Sequence, residues 1–185
     1  MIIGLIGLKL SGKGTVASYL KEHYQAKSYS MSGVLSDILD RLYLPQSRQN
    51  MIELVTSLRA VFGEDILAQV RKQDIQKAQD KLAIIDAVRM PKEVAIFSTL
   101  PNFILLYVDA PLKMRFERAK NRGEKAGEKN MSFSDFQKEE KAITEQNIVA
   151  LKTKADFIIN NLGTLAQLYA QIEDFLKKTN FLQTK

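Results

Sequence analysis

The sequence contains no cysteine, which excludes disulfide bonds and metal sites built from thiolates. Its only histidine, His23, argues against a histidine-rich metal site and falls at the end of a predicted helix, where we expect it to cap the helix. No apolar run is long enough to cross a membrane, and no signal-peptide pattern is present, since the first apolar run ends at Lys9. We therefore expect a cytoplasmic protein without a membrane segment.

The composition is that of an ordinary globular protein. The chain has 185 residues, of which 45% are hydrophobic and 26% charged, enough for one domain with a buried sheet. Its net charge of +6 is compatible with nucleic acid, an anionic surface or anionic small molecules. Because the basic residues are scattered along the predicted helices, we expect small anionic partners and no nucleic acid. We also expect a monomer or a homodimer.

The most informative stretch is residues 7–15, with the sequence GLKLSGKGT. It follows an apolar run typical of a buried parallel strand and precedes a predicted helix, which is the context of a phosphate-binding loop. Glycines let backbone N–H groups approach a phosphate, and the helix adds its positive end. Lys13 can reach the second and third phosphates, and Thr15 or Ser11 can offer a hydroxyl. The residues expected to bind a nucleoside triphosphate here are Gly7, Ser11, Gly12, Lys13, Gly14, Thr15 and Val16.

Apolar strands alternate with amphipathic helices along the rest of the chain, which predicts a parallel sheet covered on both faces. Strands are expected at residues 1–6, 25–30, 81–86, 103–109 and 156–160. A helix is expected to start near Val34, and a single helix is expected over residues 132–151. The residues between the second and third strands are almost all helical, more than a crossover needs. The polar segment 123–130 is the best candidate for a mobile flap.

Several candidate residues follow the carboxyl ends of strands, the edge where ligands bind in open parallel sheets. Asp86 could hold Mg²⁺ together with Thr15; its alternative role is that of a turn or capping residue. Asp109 precedes Ala110 and Pro111, and we expect it to cap the following helix.

Two groups of arginines suit phosphate chemistry. Arg115, Arg118 and Arg122 share one face of a predicted helix, where Arg118 and Arg122 are the better candidates to stabilise a migrating phosphoryl group. A solvated basic face is the alternative. The candidates to hold an acceptor are Ser32, Gly33, Arg48, Arg59, Asp86 and Arg89, with Arg89 preferred because it lies beside the sheet edge.

These motifs resemble the nucleoside and deoxynucleoside monophosphate kinases of the P-loop superfamily, with dephospho-coenzyme A kinase as a relative. The variant loop ending in GKGT is the most specific match. Residues 48–66 are similar to the helical insertion of deoxynucleotide kinase-like proteins, and the DAVR of residues 86–89 is similar to the Asp-Gly-x-Arg element of these kinases. The ADFIINNLGTL of residues 155–165 is similar to the closing strand and adenine-side loop, which adds Asn161 and Gly163 to the expected ATP site.

The resemblance implies a P-loop three-layer α/β/α sandwich with a five-stranded parallel sheet. It implies one domain whose core comprises residues 1–32, 81–121 and 152–185, with an acceptor-binding insertion at about 33–80 and a lid at about 122–140. Mg²⁺ and ATP are the implied cofactors. The expected reaction transfers the γ-phosphoryl group of ATP to a (deoxy)nucleoside monophosphate, with Lys13, Asp86, Arg118 and Arg122 as catalytic residues. Phosphorylation of a sugar hydroxyl, as in dephospho-coenzyme A kinase, and a non-kinase nucleotide-binding regulator stay open as alternatives.

Overall fold

The computed structural model describes residues 1–122, 131–141 and 143–183. The described residues form one five-stranded, fully parallel sheet in the order β2-β3-β1-β4-β5, which confirms the predicted fold class. The strands are β1 (Ile2–Ile6), β2 (Lys27–Ser30), β3 (Ala83–Asp86), β4 (Phe103–Asp109) and β5 (Phe157–Asn160). Because β1 is the central strand, the loop that follows it emerges from the middle of the carboxyl edge.

Helices cover both faces of this sheet. They are α1 (Lys13–Tyr24), α2 (Met31–Arg41), α3 (Arg48–Phe62), α4 (Ile66–Ala78), α5 (Pro91–Phe97), α6 (Leu112–Arg122), α7 (Phe133–Glu139), α8 (Ile143–Leu151) and α9 (Leu165–Lys178). Successive strand residues alternate between two buried clusters, as a pleated strand requires. Leu5 packs with α1 and α9 on one face, and Ile6 packs with α4, α5 and α8 on the other. The result is the three-layer sandwich expected from the sequence.

Helices α2, α3 and α4 lie between β2 and β3 and form a small apolar cluster of their own around Val34, Leu35 and Leu67. Ser47 caps α3 by accepting a hydrogen bond from the backbone N–H of Asn50 (3.1 Å). The interpretation of this segment as an acceptor-binding insertion stays a prediction.

Some local predictions were wrong. Helix α2 starts at Met31 and not near Val34, because the Ser30 hydroxyl accepts a hydrogen bond from Gly33 N–H and caps the helix directly after the strand. The single helix expected over residues 132–151 is two helices, α7 and α8. Glu140 ends the first of them, and its side chain pairs with Arg115 of α6.

Two predicted capping residues have other roles. Asp109 forms an ion pair with Lys152 (2.6 Å). The ring of His23 packs against Tyr19 with centroids 4.3 Å apart, and α1 is closed instead by Gln25, whose backbone N–H bonds to carbonyls of the last turn. The predicted flap, residues 123–130, lies outside the described residues, as does most of the first half of the predicted lid. No helix in the described ranges has the length and apolar character needed to traverse a bilayer.

Candidate functional site

The loop between β1 and α1 needs glycine at two positions. Gly7 has φ +148°, and a Cβ there would collide with the carbonyl oxygen of Val108 on β4. Gly12 has φ +107°, and a Cβ there would collide with the side-chain amide of Asn161, which follows β5. The loop is therefore packed tightly against the ends of two neighbouring strands, and any larger residue at either position would displace it.

Two side chains from distant parts of the chain hold this loop in place. Asn161 is buried and donates from Nδ2 to the carbonyl oxygen of Ser11 (2.8 Å). Arg118 of α6 donates from Nη1 to the carbonyls of Leu10 (3.1 Å) and Ser11 (3.3 Å), and from Nη2 to the carbonyl of Asn161 (3.0 Å). Burial lowers the pKa of Arg118, with a smaller contribution from the positive charge of Arg115. The three segments form one connected unit at the phosphate loop.

Lys13 lies folded back on the loop. Its Nζ donates to the carbonyls of Gly7 (2.6 Å) and Leu8 (2.9 Å). Burial, together with the smaller effect of the nearby Arg89, lowers the pKa of Lys13 to about 8, whereas Asp86 acts in the opposite direction. A phosphate that binds in this space would give the Lys13 ammonium group a negatively charged partner in place of the two carbonyls.

A cavity of about 580 Å³ opens above the loop. It brings together seven residues that the sequence singled out, which are Gly12, Lys13, Gly14, Thr15, Asp86, Arg118 and Arg122. Basic side chains and the start of α1 therefore face one space, which can accommodate an anionic ligand.

Thr15 and Asp86 are the candidate Mg²⁺ ligands, and both line this cavity. A hydroxyl and a carboxylate suit Mg²⁺, which prefers oxygen ligands and binds through few protein groups, with phosphate and water completing its shell. In agreement with such a shared site, the described part of the chain holds no cluster of three or more His, Cys, Asp or Glu side chains that could bind a metal alone. The donor set fits Mg²⁺ bound together with a nucleotide.

Two other residues of the predicted ATP site point away from the cavity. The hydroxyl of Ser11 is buried and has no hydrogen-bond partner among the described atoms, so Thr15 is the hydroxyl that faces the ligand space. The side chain of Val16 is fully buried in the core between α1 and the sheet. Only the backbone of either residue is placed to contact a nucleotide.

A smaller recess of about 30 Å³ lies beside the loop, with Arg89 and Glu145 in its wall. Lys9, Lys13 and Ala87 line both this recess and the large cavity, so the two spaces adjoin. Ala87 has φ +59°, the left-handed conformation that favours glycine. This explains why the resembling Asp-Gly-x-Arg element carries a glycine at the corresponding position.

The structure does not bring the other predicted acceptor residues to either space. Arg48 is exposed at the start of α3, and Arg59 faces Glu64 at 3.6 Å. Ser32 and Gly33 lie in the first turn of α2. Gly163, which was expected in the ATP site and not in the acceptor site, lies just before the cap of α9. None of these five residues lines the cavity or the recess, and their proposed roles stay predictions.

The three arginines predicted to share one face of a helix lie in two different environments. Arg118 and Arg122 line the cavity, whereas Arg115 is only 3% exposed and forms a two-pronged pair with Glu140, with an Nη1–Oε1 distance of 2.8 Å. Arg115 also donates from Nε to the carbonyl of Ala110 (2.9 Å). It is part of the packing between α6 and the end of α7.

Three residues near the site were missed by the sequence analysis. Lys9 and Glu139 form an ion pair and both line the cavity. Arg71 of α4 donates from Nε to the carbonyl of Ser30 (2.8 Å) at the end of β2. The position of Lys9 inside the loop was a usable signal. Glu139 and Arg71 had none, because their partners lie 130 and 41 residues away.

Known proteins resemble this chain in sequence and in fold. A family model described as an AAA domain matches residues 6–137. A UPF0200 protein of Sulfurisphaera tokodaii is 26% identical over 179 residues, which cover 96% of each chain. The crystal structure of TT1252 from Thermus thermophilus is similar with a TM-score of 0.60 at 20% identity, covering 96% of this chain and 97% of that one. Shikimate kinase from Aquifex aeolicus is similar with a TM-score of 0.55 at 16% identity, covering 96% of both chains. These structural likenesses show a fold shared with small-molecule P-loop kinases.

Proposed function

The chain belongs to the AAA domain family of P-loop proteins, and from this premise we propose that it is a Mg²⁺-dependent phosphotransferase that moves the γ-phosphoryl group of ATP to a (deoxy)nucleoside monophosphate. One observation carries the proposal. The loop lysine Lys13, the candidate metal ligands Thr15 and Asp86, and the cations Arg118 and Arg122 all face the same cavity. A cytoplasmic enzyme with small nucleotides as partners fits this site.

The donor phosphates would bind the loop amides and Lys13. To reach them, Lys13 leaves the carbonyls of Gly7 and Leu8, and its charge then neutralises the bridging oxygens. Thr15 and Asp86 would hold Mg²⁺, which supplies charge compensation on the phosphate oxygens when bound. Contacts of Lys13 that are equally strong in the ground state and in the transition state would lower KM alone. Its effect on kcat would come from the contacts that strengthen as charge develops on the migrating group.

Arg118 and Arg122 would stabilise the charge that develops on the migrating group. Hydrogen bonds from Arg118 to the carbonyls of Leu10, Ser11 and Asn161 fix the orientation of its guanidinium before the ligand binds. No residue needs to form a covalent intermediate, since in-line transfer depends on positioning and charge.

Arg89 is the acceptor residue that the geometry supports best, because it lies in the recess that adjoins the cavity beside Lys13. Its backbone N–H is fixed by the carboxylate of Glu93 (2.8 Å). An acceptor phosphate bound to Arg89 would be held next to the end of the donor triphosphate.

One observation favours a second candidate, the phosphorylation of a hydroxyl group. Arg48 and Arg59 do not line the cavity, so the described acceptor side carries fewer cations than an acceptor phosphate would be expected to need. The shikimate kinase of Aquifex aeolicus, by its name a kinase of a small hydroxy acid, shares the fold.

A single panel tests both candidates. ADP release from Mg-ATP is measured with purified protein and each deoxynucleoside and ribonucleoside monophosphate, dephospho-coenzyme A and shikimate, with the Lys13→Met variant as the negative control. We expect turnover with at least one deoxynucleoside monophosphate. Turnover only with the hydroxyl acceptors would select the second candidate, and ATP binding with no phosphorylated product would select a regulatory protein.

A further inference from the structure

A second lysine of the phosphate loop, Lys9, is held by a carboxylate from outside the loop. Its Nζ forms an ion pair with Glu139, the last residue of α7, and lies 4.2 Å from the centre of the Phe136 ring. Both Lys9 and Glu139 line the large cavity. A negative side chain therefore forms part of the wall of the cavity in which the proposed phosphates would bind, where it is paired with Lys9.

The position of Lys9 suits contact with a phosphoryl group. It lines the large cavity and also the recess that contains Arg89, as Lys13 does. A cation at this boundary lies between the proposed donor and acceptor sites. The side chain is 27% exposed, so its ammonium group is open to a ligand in the cavity.

Two adjacent carboxylates at the end of α7 differ in how firmly they are held. Glu140 is 14% exposed and accepts hydrogen bonds from both terminal nitrogens of the buried Arg115 guanidinium. Among the residues that the structure describes, Glu139 pairs with Lys9 alone, and its side chain is 50% exposed. An exposed pair of this kind contributes little to stability, and a carboxylate at the carboxyl end of a helix is unfavourable. Glu139 can therefore release Lys9 while Glu140 keeps α7 attached.

We propose that Lys9 is a second phosphate-binding lysine of the loop and that Glu139 is its resting partner, which competes with the incoming phosphates of ATP. The proposal rests on the proposed function, because it assumes that the cavity binds ATP. On binding, a phosphate oxygen replaces the Glu139 carboxylate on the Lys9 ammonium. Nucleotide affinity is thereby reduced by the cost of breaking the resting pair.

Calorimetric titration with a non-hydrolysable ATP analogue and Mg²⁺ tests this without requiring catalysis. We expect Lys9→Met to weaken binding about tenfold, the effect of losing one hydrogen bond to a charged group. We expect Glu139→Gln to tighten binding about threefold, in line with the small worth of an exposed ion pair. In the Lys9→Met background, Glu139→Gln should change nothing, because the competitor then has no lysine to hold.

Asp135→Asn is the matched control, since it neutralises another carboxylate of α7 whose partner is the exposed Lys138. Its affinity should equal that of the wild type. Lys9→Arg keeps the positive charge and should retain most of the affinity for the ATP analogue. If Lys9 acted through packing alone, the larger arginine would not be expected to retain it. If Glu139→Gln tightens binding equally in both backgrounds, the effect is a general field effect and the proposal is wrong. It is also wrong if the wild type binds the analogue and Lys9→Met binds it equally well. Failure of the proposed function would appear differently, as absence of product in the ADP-release panel.

Discussion

Replacing Lys13 by methionine should stabilise the folded protein while removing its ability to bind ATP. Burial lowers the pKa of Lys13 from its ordinary value of 10.5 to about 8, so keeping this side chain charged costs folding free energy. Each pKa unit corresponds to about 1.4 kcal/mol, which makes the full cost about 3 kcal/mol. Because the side chain is not fully enclosed, we expect about 2 kcal/mol of it to be recovered in Lys13→Met.

The pH dependence of the stability difference shows whether the lowered pKa of Lys13 causes it. Below pH 8 the lysine is charged in both the folded and the unfolded wild type, and the variant should be more stable by the full amount. Between pH 8 and 10.5 the unfolded chain binds more protons than the folded protein, so the wild type gains stability as the pH rises and the difference shrinks. Above pH 10.5 the difference should vanish. Burial also raises the pKa of Tyr107 to about 12, but this acts on both proteins equally.

Urea unfolding at pH 7, 9 and 11 measures these differences, and thermal unfolding at pH 7 should show a rise of about 4 to 8 °C for a chain of this size. Lys21→Met, on the exposed side of the same helix, is the control and should shift the free energy of unfolding by less than about 0.5 kcal/mol. ATP turnover of Lys13→Met should fall on the order of 10² to 10³-fold. The reasoning is refuted if Lys13→Met is less stable than the wild type at pH 7, or if its advantage persists at pH 11.

Three further predictions concern the supports of the site. Arg118→Ala should weaken ATP binding by roughly 10 to 100-fold, because the loop loses two hydrogen bonds from a charged donor and Asn161 loses a third; unchanged affinity in a calorimetric titration would contradict this. Asp86→Asn should raise the Mg²⁺ concentration needed for half-maximal ATP binding about tenfold, and equal Mg²⁺ titrations of variant and wild type would exclude Asp86 as a ligand. Gly33→Ala places a Cβ against the Arg71 guanidinium and should lower the free energy of unfolding by about 1 kcal/mol. In an Arg71→Ala background the same change should become stabilising, since alanine favours helix, and chemical denaturation of the four proteins decides the point.

The fold was predictable because its signals are local. The apolar run of β4 predicted the bounds Phe103–Asp109 that the structure shows. The loop of residues 7–15 likewise contains within nine residues the glycines, lysine and threonine that define it. In each case the residues that carry the pattern are neighbours in the chain.

The candidate site was predictable in the loop and at the end of β3, where Asp86 lies, but only in part on the helices. The division between α7 and α8 was missed because Glu140 pairs with Arg115 across 25 residues, a contact that leaves no periodic signal. The three arginines were correctly predicted to lie on one helix. Helical spacing alone cannot show that Arg115 is buried while Arg118 lines the cavity. Which of these arginines is buried depends on the element that packs against α6, here the end of α7.

The two side chains that hold the phosphate loop in place, Arg118 and Asn161, come from the second half of the chain. Asn161 bonds to a residue 150 positions earlier, and the two contacts of Arg118 with the loop span more than 100 positions. While the chain leaves the ribosome, its first strand and first helix are therefore made long before the groups that hold the turn between them. A nascent chain stopped ahead of residue 161 would contain the loop of residues 7–15 and Arg118 but would lack the hydrogen bond from Asn161 to Ser11, so the loop can gain its full set of contacts only in the last stage of synthesis.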